Sequence, residues 1–130
     1  MNLSLVALLV FSSFLQEPEA PPVIKPSEAA NHVNKTVIVE MEVESSSFLK
    51  DKELCFLNSL KDHRNADNFS VVIRKEGLKV FKDNKVEDPA KHYLKKKIQV
   101  EGKVELFKEK AQIIVEKFEQ LKVVGVRPEE

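Results

Sequence analysis

At 130 residues the chain has the length of one domain, enough to close a single core without disulfides or metals. Its 42% hydrophobic and 32% charged residues are ordinary for a soluble globular protein, and 21 basic against 21 acidic residues give a formal net charge of zero. That balance argues against a strongly basic nucleic-acid coat protein and against a polyacidic tail.

The first element is apolar. Leu3 to Leu15 (LSLVALLVFSSFL) carries no charge and is followed by the polar, Pro-rich QEPEAPP. Its length falls short of the roughly 20 residues that span a bilayer as a helix. It fits the h-region of a secretory signal peptide, so residues 1–20 are read as a signal and the chain as exported, periplasmic or secreted rather than cytoplasmic. No stable membrane span is expected. No Lys or Arg precedes the segment, and Pro21 after Ala20 makes a poor cleavage site, so an N-terminal helix is the alternative. Removing residues 1–20 takes away Glu17 and Glu19 and no base, leaving 21 basic against 19 acidic residues, a net of +2. The single cysteine, Cys55, has no partner for an internal disulfide.

Pro18 to Pro26 holds four of the six prolines and reads as an extended linker, assigned to residues 21–26. Ser27 offers an N-cap oxygen to a short helix, SEAANHV, with Glu28 in its first turn and Asn34 as a left-handed terminator. Lys35 to Glu44 (KTVIVEMEVE) is a strand with Val37, Val39, Met41 and Val43 on one face and Ile38, Glu40, Glu42 and Glu44 on the other. SSSFLKDKE reads as a polar loop. Cys55–Leu60 and Phe69–Arg74 form a hairpin across the Asp/Asn-rich turn KDHRNADN. Lys75 to Val86 mixes charge with Leu78, Val80 and Phe81 and gives no clear element. Asp88 and Pro89 are the N-cap and first residue of a short helix reaching Tyr93. A long hairpin follows: Ile98, Val100, Gly102, Val104 and Leu106 alternate with polar residues, Lys108-Glu109-Lys110 turns the chain, and Ala111, Ile113 and Val115 continue. Gly102 suggests a bulge or bend. VIVEMEVE at 37–44 and IQVEGKVE at 98–105 echo each other, as two curved barrel strands doing the same job would.

This order fits an all-β fold, a five-stranded Greek-key OB barrel with one or two short helices, over residues 27–124, with a polar tail at 125–130. KTVIVEMEVE, CFLNSLKDHRNADNFSVVI and KKIQVEGKVELFKEKAQIIVEKFEQLKVV carry the resemblance. Together they resemble the bacterial anticodon-binding-like OB domains, including small exported versions. The resemblance implies nucleic-acid binding on the face of strands two and three and the flanking loops. The strand-face charges run the other way: Glu40, Glu42, Glu44, Glu101 and Glu105 outnumber Lys103 and Arg74, and acids repel phosphate.

The bases cluster near turns. Lys50 and Lys52 lie in the strand one–two loop, Lys95, Lys96 and Lys97 precede strand four, and Lys108 and Lys110 flank the final turn. With Phe48 and Phe107 as flat platforms, and Arg74 and Lys103 on the strands, they are candidates for a cationic rim that binds single-stranded DNA or RNA. Solvating lysines interleaved with Asp51, Glu53 and Glu109 are the plainer reading. Phe56, Phe69, Phe81, Tyr93 and Phe118 read mostly as core. No catalytic, metal or cofactor site is expected: His32, His63 and His92 lack metal spacing, and Asp62, His63, Arg64 and Asp67 read first as a turn. The expected role is a non-catalytic binding module, with an envelope or extracellular protein as the alternative partner.

Overall fold

The computed structural model describes residues 20–126; the apolar segment Leu3–Leu15 lies outside them, as does the end of the tail. Alternation builds the barrel wall. Strands β1 (Val23–Ile24), β2 (Thr36–Glu42), β6 (Lys96–Lys103) and β9 (Leu121–Val126) form one sheet in the order β1-β2-β6-β9. Strands β3 (Ser45–Leu49), β4 (Leu54–Asn58), β5 (Ser70–Ile73), β8 (Lys110–Val115) and β7 (Glu105–Phe107) form the other, in that spatial order. Every second residue points inward: Val37, Val39, Met41, Val43, Cys55, Leu57, Val71, Ile73, Ile98, Val100, Ile113 and Val115 are all buried.

Two strands pass from one sheet to the other, and this closes the barrel. Val43 N donates to Lys96 O in the first sheet, and the next residue, Glu44, donates to Asn58 O in the second, so β2 and β3 are one bent strand. β6 and β7 are joined likewise through the buried Val104, which bridges Val33. β5 pairs with β8 in parallel, Val71 opposite Ile113, and the remaining barrel pairs are antiparallel. The result is the five-stranded OB arrangement with β1 and β9 added to its edges.

Several local expectations need correction. Ser45–Leu49 is a strand and not a loop; its serines have low β propensity, but Ser45 and Ser46 hydroxyls donate to the Leu60 and Ala90 carbonyls at 2.7 Å each. The first helical segment, Pro26–His32, is a 3-10 helix capped by Glu28, whose carboxylate accepts from Lys25 N at 2.8 Å; Ser27 does not cap it. Lys75–Asp83 is an α-helix, α1, whose Gly77 and Phe81 are buried. Val23 and Ile24, inside the Pro-rich run, are extended and pair with Ile38 and Val39. At the other end, pairing continues to Gly125 and Val126.

Other readings hold. Asn34 has a φ of 69°, and Asp88 caps α2 (Pro89–Tyr93) by accepting from Lys91 N at 3.1 Å. Helices α1 and α2 close one end of the barrel, where Phe81 meets Tyr93 and Phe118 edge-on at centroid distances of 6.1 and 5.2 Å. Gly102 pairs regularly with Val37. A Cβ there would come within 2.6 Å of Ile113 Cγ2, so the glycine serves a close approach inside the wall and not a bulge.

Candidate nucleic-acid interface

The same alternation that fills the core leaves an outer face on the β3-β4-β5-β8-β7 sheet. In register across it lie Ser47 opposite Phe56, Asn58 opposite Ser70, Ser70 opposite Gln112, and Phe107 opposite Lys110. These residues line a groove of about 530 Å³, bordered by His63, Leu49 and Lys108. Phe56 is half-buried within this lining, while Phe107 stands 59% exposed at the rim.

The rim is set by two turns. Lys108 and Glu109, at φ 51° and 69°, form the tight β7–β8 turn, in a left-handed region that disfavours side-chain-bearing residues by about 1–2 kcal/mol each. Lys108 Nζ lies 5.4 Å from the centroid of the Phe107 ring, a cation–π contact. Lys110 Nζ donates to the His63 carbonyl at 2.8 Å and ties the β4–β5 loop to the groove edge. That loop is built as Asp/Asn turns are. Asp62 accepts from Arg64 N at 2.9 Å, Asn65 accepts from Asp67 N at 2.9 Å, and the Arg64 guanidinium holds the Asp62 carboxyl below its usual range.

One end of the groove lining is fixed by a polar network. Asn58 Oδ1 accepts from Ser70 Oγ at 2.8 Å and from Asn68 Nδ2 at 3.4 Å, and Asn58 Nδ2 donates to Ser45 Oγ at 3.2 Å. Asn68, only 3% exposed, accepts from Leu60 N at 3.1 Å. This network is internally satisfied. By contrast, the Gln112 and Ser47 side chains make no hydrogen bond to any described residue, although Gln112 is half-buried. The groove therefore offers an aromatic surface, two ammonium groups and one uncommitted amide.

The sequence-derived candidates fall into three places. Phe107, Lys108 and Lys110 meet at the groove. Phe48 and Lys50 line a separate cleft against α1, with Lys52 on the turn Lys50–Lys52 and Arg74 exposed at the start of the helix. Lys95, Lys96, Lys97 and Lys103 belong to the other sheet or its entry, away from the groove lining. Lys97 pairs with Glu40 at 3.2 Å and Lys95 with Glu44 at 3.7 Å, so part of that basic run is engaged with acids of β2 and of the bend that follows it. The Glu40 carboxyl, bonded to Gln99 and Lys97, is held below its ordinary range. Reading from sequence missed Phe56, His63 and Gln112. Phe56 was legible in one respect: it lies between Cys55 and Leu57, and both of those point inward.

Cys55 is fully buried, and burial pushes its thiol up to about 12, as befits a small apolar core residue and not a nucleophile. Among the described residues no group of three or more His, Cys, Asp or Glu side chains could hold a metal, and no helix is long and apolar enough to cross a membrane.

No protein-family model matches this sequence, and no curated protein matches it. Solved structures do. Asparaginyl-tRNA synthetase from Pyrococcus horikoshii superposes with a TM-score of 0.52 at 20% identity, covering 82% of this chain and 24% of its own. Aspartyl tRNA synthetase from Entamoeba histolytica gives 0.51 at 14% identity, over 93% of this chain and 24% of its own. OBody AM1L10, solved bound to hen egg-white lysozyme, gives 0.53 at 14% identity, over 85% of this chain and 98% of its own. The likeness is one of fold. The chain spans about a quarter of the length of these synthetases.

Proposed function

We propose that the chain is a non-catalytic OB binding module that holds single-stranded nucleic acid in the groove of the β3-β4-β5-β8-β7 sheet. One observation carries this reading: half-buried Phe56 and exposed Phe107 share a groove with Lys108, Lys110 and His63. A base stacks on an aromatic face whatever its identity, and lysines beside it track the phosphates. The charge objection weakens once the strands are placed. Of the five outward acids, Glu40, Glu42 and Glu101 lie on β2 and β6, Glu44 sits at the bend into β3 and is paired with Lys95, and Glu105 lies on a strand of the groove sheet. That two similar structures are tRNA synthetases is in keeping with a nucleic-acid ligand.

The test is fluorescence anisotropy of labelled single-stranded RNA and DNA against the full chain, at low and physiological salt. Binding should weaken with salt, and Phe56→Ala should cost about 1–3 kcal/mol, a 5- to 150-fold loss. Flat titrations at both salts refute the reading. They would move the search to a protein partner, for which exposed Leu49, Leu106 and Phe107 supply the apolar contact.

A further inference from the structure

Helix α1 carries a stripe that the groove does not use. Lys75, Lys79 and Lys82 follow one another at i, i+4 and i+7, within an arc of about 60° and over about 10 Å of axis. Glu76 and Asp83 fall to one side of the stripe, and Leu78 to the other. The stripe forms one wall of a cleft of about 800 Å³, with Phe48 and Lys50 on the opposite side. Lys50 Nζ sits 5.9 Å from the Phe48 ring centroid. Glu53, Glu76 and Glu87 also line the cleft, so four lysines stand against three carboxylates. No ion pair forms between any of the four lysines and a described residue. None of the four is held by a carboxylate, unlike Lys95 and Lys97.

The cleft and the groove meet at one turn. Along β3, Phe48 lines the cleft and Leu49 lines the groove, and the turn Lys50–Lys52 follows both. Lys50 and Lys52 also line a shallow depression with Phe48 and Leu49. A strand leaving the groove past Leu49 therefore crosses two lysines before it reaches the helix stripe.

From this arrangement we infer that the α1 cleft is a second segment of the binding surface, which takes the sugar-phosphate backbone of the same single strand whose bases occupy the groove. The inference rests on the groove reading and extends it. The groove supplies stacking and short-oligomer affinity; the cleft adds sequence-independent phosphate contacts for a longer strand. Flexible ammonium groups on a helix suit this task, since a phosphate needs a nearby positive charge and no fixed geometry.

The experiment compares a labelled 4-mer and a labelled 16-mer of RNA, lengths bracketing the usual OB site size, on the full chain and on the triple variant Lys75→Gln, Lys79→Gln, Lys82→Gln. All three positions are exposed, so far-UV circular dichroism should match the parent. Each lost phosphate contact lowers the log–log salt slope by about 0.7 for a single strand. Three contacts amount to about 2, which changes the ratio of 16-mer affinities at 50 and 200 mM salt about 16-fold. The 4-mer slope should not move. An unchanged 16-mer slope, with the 4-mer still bound by the parent, overturns the inference and leaves the groove reading intact. If the parent binds neither length, the groove reading fails and the inference with it. Phosphatidylserine vesicles that bind the parent and not the variant, with an unchanged 16-mer slope, also overturn it and assign the lysines to a lipid surface.

Discussion

Gly77→Ala sets two principles against each other, and the structure decides between them. Gly77 lies inside α1, where alanine is favoured over glycine by about 1 kcal/mol in an exposed helix. A Cβ at that position, however, would lie 2.5 Å from the Val115 carbonyl oxygen and 2.9 Å from Ile73 Cγ2. The first obstacle is main chain of β8, held in the parallel β5–β8 ladder, and it does not swing aside. Ordinary contact begins near 3.4 Å, so the helix must retreat by about 0.9 Å. Phe81, fully buried on the same helix, retreats with it. A buried side chain makes 40–60 contacts of about 0.1–0.2 kcal/mol, and a gap of this size forfeits at least a quarter of them, about 2 kcal/mol. Strain and lost packing thus exceed the propensity gain, and the net expectation is destabilisation by about 1–2 kcal/mol. Urea unfolding followed by circular dichroism measures it: the midpoint should fall with the slope unchanged. Lys79→Ala, exposed on the same helix, should shift stability by less than about 0.5 kcal/mol. A Gly77→Ala midpoint above the parent's would refute the packing argument outright.

Two further outcomes follow from single side chains. Gln112→Leu keeps the volume of the groove wall and removes its uncommitted amide. The spread of affinities among short oligo-A, -C, -G and -U should then collapse, by up to the 1–3 kcal/mol that a bidentate amide contact can discriminate. An unchanged base preference would show that the amide reads nothing. Tyr93 is the single tyrosine, so phenolate absorbance reports it alone. Burial raises its phenol from 10 to about 12, which favours the neutral form on folding. That stabilisation is complete below pH 10 and is lost as the pH climbs through 12. The native titration should therefore run near 12 and the urea-unfolded one near 10; a native midpoint at 10 would contradict the burial.

How far the sequence specifies the fold depends on whether a segment's own pattern agrees with its place. KTVIVEMEVE has strict alternation, and its strand is found almost where the period puts it. Ser45–Leu49 has no such pattern. It is extended because the barrel needs the second half of a bent strand there, and its hydroxyls find carbonyls on distant segments. Helix α1 hides for a related reason. Its buried face is Gly77 and Phe81 with Leu78 and Val80 beside them, too sparse an apolar stripe to stand out among five charges, and Gly77 counts locally against a helix. Only the close approach to Val115 shows what that glycine is for.

Site residues obey the same logic with one more step. Lysines near turns are visible in any sequence, but which of them share a surface is a property of strand order. β5 pairs with β8 and not with β6, and this brings Ser70 beside Gln112 and the β7–β8 turn beside the β4–β5 loop. The same ordering sends Lys95 to Lys97 to the other sheet, where Glu40 and Glu44 engage two of them. Ion pairing is thereby segregated within a chain of zero net charge. On the β2–β6 outer face Glu40, Glu42 and Glu101 stand among Lys97 and Lys103, with Lys97 paired to Glu40, while the lysines bordering the groove and the α1 cleft are in no ion pair with a described residue. On the proposed reading, a single-stranded polyanion would be held along the groove and the cleft, where the lysines are not neutralised by ion pairs. Near-neutral composition and an anionic ligand are compatible for that reason, and the salt dependence of binding should report the local lysines and not the net charge.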